Sequence, residues 1–135
     1  MTAGSAWEAS GRYEGRMATT TFLSWLPFGA VPEVPAKQLA KALTGPNPPQ
    51  LLDVRTKSEH RNGHLKGAVN APISSLARVL PGLKLDKSRP VVAICLSAHR
   101  SIPAVRILKD AGFDAVQLAG GMQSWRAAKL PEVTS

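Results

Sequence analysis

Cys95 is the one cysteine in a chain of 135 residues. It follows the apolar, β-prone run Val91-Val92-Ala93-Ile94, and Arg100 stands five positions further on, ahead of a helix that opens near Ser101. A lone cysteine is either a small buried hydrophobe or a reactive thiol. The spacing to Arg100 favours the second. A six-residue segment, Cys95-Leu96-Ser97-Ala98-His99-Arg100, between strand and helix can turn its N–H groups inward as an anion cradle, aided by the helix dipole. The same field favours the thiolate of a cysteine held within it. Thiolate, amides and cation together suit a nucleophile that also holds an anionic substrate or leaving group. Within the loop, Ser97 and Ser101 could each serve as turn or helix-cap residues, a reading kept for Ser97. His99 reads as a solvated side chain, with nothing in the sequence to orient it as a base.

Other chemistry-bearing residues support weaker readings. Asp53 ends an apolar strand, where a carboxylate is costly unless paired. Asp53, Arg55, Glu59 and His64 are therefore expected to tie neighbouring loops together near the site. A zinc site from Cys95, His60, His64 and His99 fails on spacing. A single cysteine also excludes an intrachain disulfide framework.

Hydrophobic residues at 44% and charged residues at 19% provide for a packed core rather than disorder. The formal net charge is +8, and after residue 36 there are fifteen Lys and Arg against six Asp and Glu. Such a surface attracts anions. Nucleic acid is not expected as the partner, because basic runs are short and aromatic residues few. No apolar run reaches the roughly 20 residues of a membrane helix.

Residues 1–16 are small, polar and aperiodic, and Glu14-Gly15-Arg16 before Met17 resembles a protease-site scar. They are set aside as that or as a flexible leader. Residues 17–32 read as an apolar leader. Phe22 to Val31 could touch a membrane through Trp25 and Phe28, but no amphipathic period supports this, so packing on the domain is preferred. The domain is expected over 33–132, with a tail at 133–135.

Within the domain, strands alternate with helices on short loops. Strands are predicted at Val34, Leu51–Val54, Ala68–Asn70, Val91–Ile94 and Ala115–Leu118. Helices are predicted from Pro35, at its first turn, to Leu43, and over Lys57–Arg61, Ser74–Leu80 with Ser74 or Ser75 near the cap, Ser101–Ala111 and Met122–Ala128. This pattern gives an α/β fold, an open parallel sheet of about five strands with helices on both faces. Gly112 is expected to close the fourth helix.

The pieces together resemble a single-domain rhodanese, a sulfurtransferase. Leu51-Leu52-Asp53-Val54-Arg55 with Glu59 is similar to the family's first signature, and Gly63 through Pro72 to its second. Cys95 through Ser101 is similar to its active-site loop, and Leu118-Ala119-Gly120-Gly121 with Trp125 to its C-terminal pattern. Lys66 stands where Pro is usual and Ala98 where many relatives have Gly, which accepts a positive φ more readily. The resemblance spans about Val34 to Pro131.

What the resemblance implies is a two-step exchange. Cys95 takes sulfane sulfur from a small anionic donor such as thiosulfate and passes it from a persulfide to cyanide, a thiol or a protein acceptor. Cys95 and Arg100 would be catalytic, with Leu96, Ser97, Ala98, His99 and Ser101 contacting substrate. Arg100 would bind the donor or brace the loop. No metal or organic cofactor is required. A monomer is expected, in the cytoplasm or an organelle interior. Two alternatives stand beside this. Cys-loop-Arg phosphatases need a loop one residue longer, and a non-catalytic regulatory module typically lacks the cysteine.

Overall fold

The structure, a computed structural model, describes residues 31–134. Five strands form one sheet in the order β1-β5-β4-β2-β3, every neighbouring pair parallel. They are β1 (Glu33–Val34), β2 (Gln50–Asp53), β3 (Val69–Asn70), β4 (Val91–Ile94) and β5 (Ala115–Leu118). Between and after them run α1 (Ala36–Leu43), α2 (Lys57–Arg61), α3 (Ile73–Val79), α4 (Ser101–Asp110) and α5 (Gly121–Ala127).

The central strands β2, β4 and β5 are almost wholly buried, as expected of a sheet covered on both faces. Side-chain alternation divides the core in two. Leu51, Val92, Ile94, Val116 and Leu118 pack with Leu39 of α1 and Met122 and Trp125 of α5. Leu52, Val91, Ala93, Cys95 and Ala115 pack with Leu76 of α3 and Ala104, Val105 and Leu108 of α4 on the other face. The chain leaves β2 toward β3 at one edge and leaves β4 toward β5 on the other side. The loops after β2 and β4 thus diverge at the carboxyl ends of these two strands, the topological position where open α/β sheets bind ligands.

The element types agree with the sequence expectation, and several ends differ. Pro35 is an N-cap rather than a first-turn residue, because its ψ is extended, and Pro72 caps α3 with an extended ψ as well. Consequently α3 begins at Ile73. Neither Ser74 nor Ser75 caps it, although the Ser75 hydroxyl donates to the Pro72 carbonyl. Leu80–Gly82, a 3₁₀ turn, holds Pro81 where its missing N–H does no harm. Gly112, at φ +97°, closes α4 as expected, with Phe113 N–H returning to Leu108 O. Val133, where a tail was expected, pairs with His64 in an antiparallel bridge, each donating N–H to the other's carbonyl. The readings for residues 1–16, and for the apolar leader short of Val31, lie outside the described residues. Among the described residues no helix is long and apolar enough to cross a membrane.

Candidate active site

Cys95 is the first residue past β4, at this switch point, and is 1% exposed. Its loop ends at Arg100, the N-cap of α4, so the helix N-terminus adjoins it as the sequence implied. Two carbonyls of the loop are pinned from the far side. Met122 N–H donates to Cys95 O at 2.8 Å, and Gln123 N–H to Leu96 O at 2.9 Å. A trans peptide carries C=O and N–H on opposite sides. The N–H groups of Leu96 and Ser97 therefore point away from α5. Among the described residues, no group accepts a hydrogen bond from the N–H of residues 96–100.

Gly121, the first residue of α5, allows this contact, and Gly120 is the helix N-cap. Gly120 and Gly121 have φ of +70° and +59°. A Cβ on Gly121 would stand 2.4 Å from Cys95 O and 2.6 Å from Leu96 O, closer than non-bonded atoms approach. Ala98 has φ +74°, so the loop makes the left-handed turn that glycine would favour, using alanine. Such a residue carries about 1–2 kcal/mol of steric cost.

Arg100 is tied to α2. Its Nη1 and Nη2 donate to Glu59 Oε1 and Oε2 at 2.6 and 2.9 Å. Glu59 is fixed in turn by a capping box: its N–H donates to Thr56 Oγ1, and its Oε1 accepts from Thr56 N–H. The Arg100 hydrogen bonds are the largest cause holding the Glu59 carboxyl at about 2, against an ordinary 4.5. The same bonds raise Arg100 further, and charge on Cys95 and Asp53 adds to this.

Below this pair lies a buried polar knot at the end of β2. Arg55 Nε and Nη2 donate to the two Asp53 oxygens at 2.9 and 2.7 Å, and Nη2 also donates to Gly63 O. His60 Nδ1 lies 2.8 Å from Asp53 Oδ2. Burial pushes the Asp53 carboxyl up, but the hydrogen bonds from Arg55 and His60 outweigh it, and the net direction is down. His60 and His64 stack at 3.7 Å between centroids. Asn70 Nδ2 closes the turn by donating to Asp53 O and Arg55 O. Removing one partner of such a buried pair typically costs about 3–5 kcal/mol.

On the α4 side, Cys95 Sγ–H donates to Ser101 Oγ over 3.6 Å. Ser101 Oγ–H donates to Gln117 Oε1, and Gln117 Nε2–H to Glu33 Oε1 at 3.1 Å. Gln117 is 5% exposed and sits on an inner strand, opposite Ala93 in register.

The structure brings Cys95, Arg100, Ser101 and Glu59 together, and places Asp53, Arg55 and His64 in the adjoining knot. His99 is exposed in the loop, as expected, and its Nδ1 lies 2.9 Å from the hydroxyl of Ser97, which sits in the bend. Ser101 bonds laterally to Gln117 rather than acting as the cap. Leu96 packs partly against the core. Gln117, Glu33, Thr56 and the carbonyl contacts of Gly121 were missed. Only Thr56-x-x-Glu59 carried a local signal, the capping-box spacing. Among the described residues no group of three His, Cys, Asp or Glu is arranged to hold a metal ion.

The chain belongs to the rhodanese-like domain family, whose model matches residues 35–128. It is similar to an HTH-type transcriptional regulator of Mycobacterium tuberculosis, 45% identical over 83 residues, a match covering 60% of this chain and 36% of the regulator. The thiosulfate sulfurtransferase GlpE of Shewanella oneidensis is 35% identical over 80 residues, 58% of this chain and 77% of its own. Among solved structures, a rhodanese-related protein from Thermoplasma volcanium superposes with a TM-score of 0.70 at 29% identity, over 77% of this chain and 99% of that one.

Proposed function

We propose that the protein is a sulfurtransferase that carries sulfane sulfur on Cys95. The observation that carries this reading is the Cys95 loop. A cysteine stands where the loops after β2 and β4 diverge, beside N–H groups with no acceptor among the described residues and a helix N-terminus. The Cys95 thiolate attacks the outer sulfur of an anionic donor such as thiosulfate. An Sγ–S bond forms, the donor's S–S bond breaks, and its electron pair leaves with sulfite. A nucleophilic acceptor then takes the outer sulfur and returns Cys95 as thiolate. Cyanide would yield thiocyanate, and a thiol or protein cysteine would yield a persulfide. The amides stabilise the persulfide anion. Arg100 spends two N–H groups on Glu59 and retains others for the donor.

A six-residue loop is small for a phosphoryl group, which weighs against phosphatase chemistry. The likeness to part of a transcriptional regulator favours a second reading, a module that reports through a partner domain. The retained Cys95–Arg100 arrangement favours catalysis over it. The test is Cys95→Ser. Serine preserves the shape, but its hydroxyl does not ionise as a thiol does. Sulfur transfer from thiosulfate to cyanide should vanish while the circular dichroism spectrum is kept. Activity persisting in a clean preparation of the variant would sink the assignment.

A further inference from the structure

The hydrogen-bond chain that runs from buried Cys95 through buried Ser101 and Gln117 to exposed Glu33 has only one possible direction. A carboxylate only accepts hydrogen bonds, so Glu33 must receive one from the amide of Gln117. That orients Gln117 with Nε2 toward Glu33 and Oε1 toward Ser101. An amide oxygen also only accepts, so the single hydroxyl proton of Ser101 goes to Gln117. Ser101 is left presenting a lone pair to Cys95 Sγ, which meets it as the donor in its S–H form. Cys95, Ser101 and Gln117 are buried, where polar groups are expensive unless satisfied, and the carboxylate of Glu33 at the exposed end sets the polarity of every link.

We propose that Gln117 and Glu33 are positioning residues that hold the resting Cys95 thiol as a hydrogen-bond donor to Ser101. For the thiolate to gain that hydrogen bond, the Ser101 hydroxyl must turn from Gln117 to sulfur. The chain thus restrains the nucleophile until an anionic donor occupies the loop. Several charged groups surround this link. Arg100 feels the Cys95 charge and is paired with Glu59. Asp53 is paired to Arg55 at the end of β2, His99 stands in the loop, and Glu33 lies on β1. The inference rests on reading Cys95 as the nucleophile. Its test is alkylation, which reports on the thiol whatever the sulfur donor is.

The experiment is the pH profile of Cys95 alkylation by iodoacetamide in the full chain. Glu33→Gln keeps the shape but can donate as well as accept, so the Gln117 amide can turn over and donate to Ser101. Ser101 can then donate to sulfur. The profile should move toward acid, with alkylation near neutral pH rising about fivefold, the worth of one redirected hydrogen bond. Gln117→Leu removes the acceptor for Ser101 and should move the profile the same way. Removing the Glu33 charge could also act through space, so the comparison is repeated in Ser101→Ala. The proposal requires the Glu33→Gln shift to disappear there. A Glu33→Gln profile that superimposes on the parent, or a shift that survives in Ser101→Ala, would overturn it. Should Gln117→Leu fail to fold, the Glu33→Gln pair decides alone.

Discussion

The guanidinium of Arg100 and the carboxylate of Glu59 meet fork to fork, with N–O distances of 2.6 and 2.9 Å, although 41 residues separate them in the chain. The pair joins the end of the cysteine loop to α2, which a capping box anchors beside β2. The loop after β4 and helix α2 are thereby linked. Arg100 accordingly braces the loop. Its remaining N–H groups leave room for the second role that the sequence allowed.

Glu59→Gln should loosen this brace. Both side chains are about a third exposed, so solvent screening limits the pair to about 1 kcal/mol of stability. The effect on sulfur transfer should be larger, about tenfold, because loop geometry sets the cradle. The pH dependence has a definite sign. A carboxyl held at about 2 rather than 4.5 contributes stability that is fully present above 4.5 and is lost as pH falls toward 2. Denaturant melts of parent and variant should differ by a constant amount from pH 5 to 8 and converge below about 4.5. A gap that stays undiminished as pH falls to 2 would show that the ion pair is not its source.

Ala98→Gly should stabilise the protein. At φ +74° alanine carries a penalty that glycine escapes, offset in part by the greater freedom of glycine in the unfolded chain. The net gain should be about 0.5–1 kcal/mol, with sulfur transfer within about twofold of the parent. Urea unfolding measures the first quantity. A destabilised variant would contradict a left-handed Ala98.

Gly121→Ala should do the opposite. The added Cβ meets the carbonyl oxygens of Cys95 and Leu96, both backbone atoms that cannot swing aside. Relief requires moving the loop or α5. Stability should fall by about 2 kcal/mol or more, and sulfur transfer should fall with it even where the variant remains folded. Parent-like kinetics in a folded Gly121→Ala would mean that α5 does not set the loop.

Strands β4 and β5, helix α2 and the Cys95–Arg100 loop were legible because each rests on local pattern: an apolar run, a turn signal, a fixed spacing. The partners within the site were not. Glu59 finds Arg100, and Glu33 finds Gln117, through the parallel pairing of β2 with β4 and of β1 with β5. Pairing across a sheet leaves no periodic trace in one sequence. Gln117 was hidden for another reason. In an apolar strand it reads as one more strand residue, and only its burial against Ser101 shows that it has a hydrogen-bonding task. Gly120-Gly121 was legible as a turn, but the reason for Gly121, the close approach of the Cys95 and Leu96 carbonyls, needed coordinates.

The central claim is that Cys95 carries the transferred sulfur. Intact mass spectrometry after incubation with thiosulfate and desalting tests it most directly. One added sulfur atom is predicted, located at Cys95 by peptide mapping, absent from Cys95→Ser and removed by cyanide with release of thiocyanate. An unchanged mass, with thiosulfate nonetheless converted, would contradict the account.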